Sequence, residues 1–183
     1  MKLSYFYFIF TSLFCSHLLC GQSVYSGKDG EIHFQSKAPL EMIEADSKSL
    51  LGAIDISKRT FAFTVIITSF QGFNSALQRE HFNENYMESS KFPNGSFKGK
   101  IIEEIDFTSN GTYTVRAKGM LNIHGVEVER IIKSTVTVNN GKMTVTSEFE
   151  IPLAEHNIKI PKIVNQKIAE KIAVKLSATL NPK

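Results

Sequence analysis

Between Gln78 and Pro93 the chain reads Gln-Arg-Glu-His-Phe-Asn-Glu-Asn-Tyr-Met-Glu-Ser-Ser-Lys-Phe-Pro, which gathers acids, bases, amides, a histidine and three aromatic rings. These are residue types suited to general acid–base work, but the rest of the sequence supplies no partners for them. His33, His81, His124 and His156 stand apart from one another, so no pair shows the close spacing of a metal site. No Gly-x-Ser-x-Gly elbow occurs, and the two cysteines, Cys15 and Cys20, both lie near the N-terminus. The acids Glu103-Glu104 and Glu127/Glu129 fall on the polar side of alternating segments and read as solvated charges. Glycines punctuate turns and do not cluster before a helix, so no phosphate cradle is evident. The expectation is a protein without catalysis, cofactor or bound metal.

One charge interrupts an apolar pattern. In Val126-Glu127-Val128-Glu129-Arg130-Ile131-Ile132, strict alternation sets Arg130 on the side of Val126, Val128 and Ile132. An inward arginine needs a buried acid or the polar end of a ligand, because a lone buried charge is very costly. The alternative is a bulge or strand end that turns Arg130 to water.

The elements that would position these residues are mostly strands. Segments such as Tyr113, Val115, Ala117, Gly119, Leu121 and Ile123 alternate with polar residues at the two-residue strand period. Val126 to Val138, Met143 to Ile151 and Ile172 to Leu180 continue the rhythm, and Phe61 to Ile67 begins it. Glu31 to Ser36 and Ala45 to Ile56 supply two more strands, and Phe97 to Phe107 predicts a long one. Asn110-Gly111, His124-Gly125 and Asn140-Gly141 read as two-residue hairpin turns. Asn74-Ser75 caps a short helix, and Ile163 to Lys171 predicts a second one before the last strand. The result is an all-β, eight-stranded antiparallel barrel with a helical insertion between strands three and four. Eight strands enclose either a filled core or one small ligand. Gly99, Ala117, Gly119 and Ala178, small residues on inward faces, favour a cavity.

With 183 residues, 42% of them hydrophobic, the chain can bury one core. A net charge of +3 spread without a basic stripe argues against nucleic acid. Lys2, the apolar run from Tyr5 to Leu19 and the small or polar Gly21-Gln22-Ser23 have the layout of a secretory signal peptide, too short to span a bilayer. The expected division is a leader over 1–21 and a barrel domain over 22–183, exported to the periplasm or secreted. Cys20 as a lipid anchor is disfavoured by Leu19, where such processing sites take a small residue. Oligomeric state, monomer or homodimer, is left open.

Gly72-Phe73-Asn74, Arg79-Glu80-His81-Phe82, Tyr86-Met87-Glu88-Ser89, Lys91-Phe92-Pro93, Phe97-Lys98-Gly99 and Gly119 to Val126, followed by the closing strand, together resemble the YceI-like family. The Arg-Glu-His-Phe and Tyr-Met-Glu-Ser wording is similar to a Bacteroidetes-type subgroup. The resemblance implies a lipocalin-like barrel that binds a polyisoprenoid, quinone or fatty amide in its pore without catalysis. On that reading Phe61, Phe63, Val65, Phe97, Val115, Leu121, Ile123, Val145, Phe149, Val174 and Leu176 line the pore. Phe82, Tyr86 and Phe92 turn inward from the segment that covers one end, and Arg130 is the first candidate for a polar contact. His81 and Tyr86 are alternative donors to a head group. Burying roughly 500 Å² of tail yields about 12 kcal/mol gross, before association and ordering costs. The competing reading is an exported stress-response or interaction module with a filled core that acts through its outer surface.

Overall fold

A computed structural model describes residues 23–183; the expected leader, with Cys15 and Cys20, lies outside the described residues. Eight strands follow one another as β1 (Val24–Lys37), β2 (Met42–Asp55), β3 (Thr60–Ile66), β4 (Asn94–Ile101), β5 (Gly111–Ile123), β6 (Val126–Asn139), β7 (Lys142–Pro152) and β8 (Lys171–Pro182). Each pairs antiparallel with its neighbour in sequence, and β8 pairs with β1 to close the barrel. Closure removes both sheet edges, so every strand finds hydrogen-bond partners on two sides. Helix α1 (Ala76–His81) lies between β3 and β4, as expected. The Ser75 hydroxyl caps it by accepting the backbone N–H of Gln78 at 3.1 Å.

The turn dipeptides divide two to one. His124-Gly125 and Asn140-Gly141 each have two positive φ angles, 53° with 72° and 49° with 73°, as a tight hairpin requires. Asn110-Gly111 makes no hairpin: Gly111 is the first residue of β5, and the Asn110 side chain instead accepts the N–H of Asn140 at 3.0 Å. The long strand expected over Phe97 to Phe107 ends at Ile101. Beyond it, the Glu103 carboxylate accepts the backbone N–H of Arg116 at 2.6 Å and its side-chain Nε–H at 2.7 Å. A side chain thus takes the place on β5 where a neighbouring strand would offer a carbonyl. Those bonds, the backbone one foremost, hold the Glu103 carboxyl below its ordinary range.

The alternation of Ile105 and Phe107 therefore serves a plug, with the loop over 102–110 folding beneath the barrel. Phe107 is 2% exposed and meets Tyr113 edge to face at 5.6 Å, beside the fully buried Met143 and Leu180. At the same end Asp55 closes the β2–β3 turn. It accepts the hydroxyl and N–H of Ser57 and the N–H of Lys58, which set its carboxyl at about 2.

Two further expectations are corrected. Gly99 and Gly119 face each other in register, and a Cβ on either would run into the carbonyl of the opposite strand. They permit close backbone approach and so do not act by emptying the lumen. The helix expected over Ile163 to Lys171 is a single 3₁₀ turn, Lys162–Val164. Leu40 N–H donates to the carbonyl of Gln166, and Ala169 N–H to the Ser36 hydroxyl, so tertiary partners take groups that would have propagated a helix too short to stand alone.

Removing the plug should be costly. Phe107→Ala is expected to lower stability by roughly 3–5 kcal/mol in denaturant titration, and a loss below about 1 kcal/mol would contradict its role as the lower seal.

Candidate functional site

Inside the barrel lies a cavity of about 530 Å³, within the range of small-molecule sites. It runs from Ile54, Ile101 and Val136 in the lower half to Leu77, Gln78, Val164 and Lys167 at the upper end. The two-residue period makes it apolar, because each strand sends the alternate residues of its hydrophobic face inward. Phe61, Phe63 and Val65 of β3, Phe97 of β4, Val115, Leu121 and Ile123 of β5, Val145 and Phe149 of β7, and Val174 and Leu176 of β8 all line it. Phe61 and Phe97 touch across adjacent strands with ring centres 4.8 Å apart.

The segment after α1 contributes Phe82 and Tyr86. It winds as one π-helical turn, Phe82–Tyr86, closed by Met87 N–H donating to the Phe82 carbonyl at 2.9 Å. Phe82 stacks on Phe34 at 5.3 Å and meets Phe73 at 5.0 Å, while Phe70 meets Phe34 at 5.3 Å. Of this four-ring wall under the helix, Phe82 was expected, whereas Phe34, Phe70 and Phe73 were missing from the expected lining. Phe34 shares the parity of Ile32, which was the available signal for it. Phe70 and Phe73 come from an irregular connection where parity gives no direction. Burial raises the Tyr86 hydroxyl pKa, so the phenol is a neutral donor at the lumen wall.

Phe92 and Arg130 do not line the cavity. Phe92 covers the β5–β6 turn, edge-on to the His124 ring at 4.8 Å and against Gly125. Arg130 has the inward parity expected, but β6 and β7 stop pairing at Ser134 and Ser147, while β7 stays on β8 as far as Pro152. The widening gap holds a 3₁₀ turn, Leu153–His156, and Arg130 forms an ion pair there with Glu155. Its acid comes from the chain itself.

His156 is completely buried at this splice. Its Nδ1–H donates to the Val126 carbonyl at 3.1 Å, and its Nε2 has no partner. Burial lowers its pKa, and nearby Arg130 adds to the effect. Its own carbonyl lies 3.1 Å from His124 Nδ1, and His124 Nε2 lies 2.9 Å from Glu88 Oε1. The His124 bond is the main reason that the Glu88 carboxyl titrates low. These contacts tie the β3–β4 and β7–β8 connections to the β5–β6 turn.

Besides Tyr86, Thr64 and Ser96 and the hydroxyls of Ser36 and Ser75, two groups of polar side chains border the lumen. Midway, the Ser134 hydroxyl donates to Ser147 and the Ser147 hydroxyl to the Lys133 carbonyl, both at 3.1 Å, so this pair is internally satisfied. At the upper mouth stand Glu41, Gln78, His81 and Lys167. Gln78 Nε2–H donates to Glu41 at 3.0 Å. His81 was expected here as an alternative donor, whereas Glu41, Gln78 and Lys167 come from three separate connections, which is why no sequence motif announced them together. Among the described residues no three histidine, cysteine, aspartate or glutamate side chains converge as metal ligands would.

The YceI-like domain family matches residues 17–180 of the chain. No curated protein sequence matches it. Among solved structures, a polyisoprenoid binding domain from Saccharophagus degradans, implicated in plant cell wall breakdown, has a TM-score of 0.74 at 12% identity, covering 89% of this chain and 100% of its own. BcnA from Burkholderia cenocepacia follows at 0.66 and 17%, covering 82% and 95%. The YceI protein of Campylobacter jejuni has 0.56 and 15%, covering 100% and 99%. At such identities the three establish a shared fold.

The buried His156 carries a pH signature. Its folded pKa lies below the ordinary 6.5, so the unfolded chain binds the extra proton first. The stability it confers is complete above about pH 6.5 and is lost as pH falls through the folded value. Urea titrations should show stability falling between about pH 7 and pH 5 more steeply in the native chain than in His156→Gln. Parallel slopes would show that His156 does not titrate on unfolding.

Proposed function

The chain belongs to the YceI-like family, and from that premise we propose that it binds one long-chain apolar molecule, a polyisoprenoid or a similar quinone or fatty amide, and does no chemistry on it. The observation that carries this reading is the apolar lumen of about 530 Å³, open at one end and sealed at the other by Phe107 and its neighbours. A filled core, which an interaction module acting only through its outer wall would have, is disfavoured by that space. The binding named for the Saccharophagus degradans domain supports the same ligand class.

The tail lies among the β3, β4, β5, β7 and β8 side chains, with its polar end toward Glu41, Gln78, His81 and Lys167. Each isoprene unit that leaves water contributes roughly 4 kcal/mol gross, at about 0.8 kcal/mol per carbon. Affinity is what remains after association and ordering costs. The wall is a solvent for hydrocarbon, so the tail gives strength and the mouth gives selectivity. The apolar N-terminal run after Lys2 supports export, and among the described residues no helix is long and apolar enough to cross a membrane.

Native mass spectrometry of the full chain produced through its own export route should reveal a bound long-chain compound, released by organic solvent. Unliganded protein that also fails to take up added polyprenol would overturn the proposal. Ala117 lines the lumen, and Ala117→Phe places a ring there. Polyprenol affinity should fall at least about tenfold, equivalent to 1.4 kcal/mol, while cooperative unfolding persists.

A further inference from the structure

The upper rim carries an unusual load of exposed apolar side chains. Ile163 is 92% exposed, Leu40 67%, Leu77 59% and Met42 50%. They come from three segments bonded to one another: Leu40 N–H donates to Gln166, the Gln78 side chain to Glu41, and Asn74 Nδ2–H to the Met42 carbonyl at 2.9 Å. The same three segments border the open mouth of the lumen, through Glu41 and Ile43, Leu77 and Gln78, and Val164, Lys167 and Ile168. An apolar rim on a solvent-facing opening marks an interaction surface.

Charge identifies its partner. The connection that presents Ile163, with the first residue of β8, also presents the exposed lysines Lys159, Lys162, Lys167 and Lys171, against two acids, Glu170 and Glu155, of which Glu155 is paired with Arg130. None of the four lysines is ion-paired among the described residues. The remaining rim acids, Glu41, Glu80 and Glu84, belong to the side formed by the β1–β2 turn and α1 and its extension. An apolar tip flanked by unpaired lysines matches the boundary of an anionic bilayer, where the tip enters the acyl region and the ammonium groups stay at the phosphates.

We propose that this rim docks the barrel, mouth first, on an anionic phospholipid surface, with Ile163 as the inserting residue and Lys159 and Lys162 as its phosphate partners. The lumen would then open directly onto the lipid, so that a long-chain molecule could pass between bilayer and barrel without crossing water. Direct transfer rests on the ligand-binding reading above; the docking itself does not.

The test is co-sedimentation of the full chain with vesicles of phosphatidylglycerol and phosphatidylethanolamine, compared with pure phosphatidylcholine. Binding is expected only to the anionic vesicles, and it should be lost in about 1 M salt, where the Debye length is roughly 3 Å. Ile163→Asp and the double variant Lys159→Glu, Lys162→Glu should each weaken it by about tenfold or more, equivalent to 1.4 kcal/mol. Ile131→Asp, on an exposed site of the outer wall, should not. Polyprenol uptake from detergent by Ile163→Asp should equal that of the native chain, which separates failure of docking from failure of ligand binding. No binding to anionic vesicles, an equal loss in Ile131→Asp, or a rim that serves only as a dimer contact broken by Ile163→Asp would each overturn the proposal.

Discussion

Closure of the sheet is the constraint from which the rest follows. Once β8 pairs with β1, every inward side chain faces the others across one lumen, and the number of strands sets how wide that lumen can be. Whether it stays open then depends on the residues at inward positions. Toward the lower end Tyr25, Phe107, Met143 and Leu180 pack into a solid core, whereas Ala117, Val115, Ser134 and Ser147 in the middle stop short of the axis. The same rhythm thus makes a stopper below and a tube above.

The barrel is also spliced. Between β6 and β7 the hydrogen-bond ladder ends halfway, and a short 3₁₀ turn stands in for it. A gap of this kind would leave backbone groups unpaired, and His156 meets part of the need by donating to Val126. Arg130 and Glu155 satisfy each other beside it. The charged pair and the buried imidazole are therefore parts of the wall, and the lining of the lumen remains mostly apolar.

Most of the fold could be read because period-two alternation is a local signal with a direct geometric meaning. It named the eight strands, and the strand residues expected in the pore from Phe61 to Leu176 do line the cavity, although Leu50, Ile54, Ile132 and Val136 line it as well and were not among them. It failed where a neighbour's backbone decided the outcome. Glu103 bonds to β5 and ends β4, which no count of apolar residues foretells. Ser36 and Leu40 take the groups that would have made a helix before β8. The early part of β1 was missed because Lys28 and Asp29 interrupt the alternation where the register slips around Gly30. Arg130 had its parity read correctly, but its surroundings depend on where β6 leaves β7. Phe92 follows a turn whose direction the sequence does not state, and it packs outside the lumen.

The central claim is that an apolar chain occupies the interior of the barrel, and contacts between ligand and methyl groups test it most directly. With an isotope-labelled chain and an unlabelled polyprenol, intermolecular nuclear Overhauser effects should connect the tail to the methyls of Val115, Leu121, Val145 and Val174, and leave Ile131 and Ile66 on the outer wall silent. Contacts confined to those outer residues, or no contacts at a saturating ligand concentration, would contradict it.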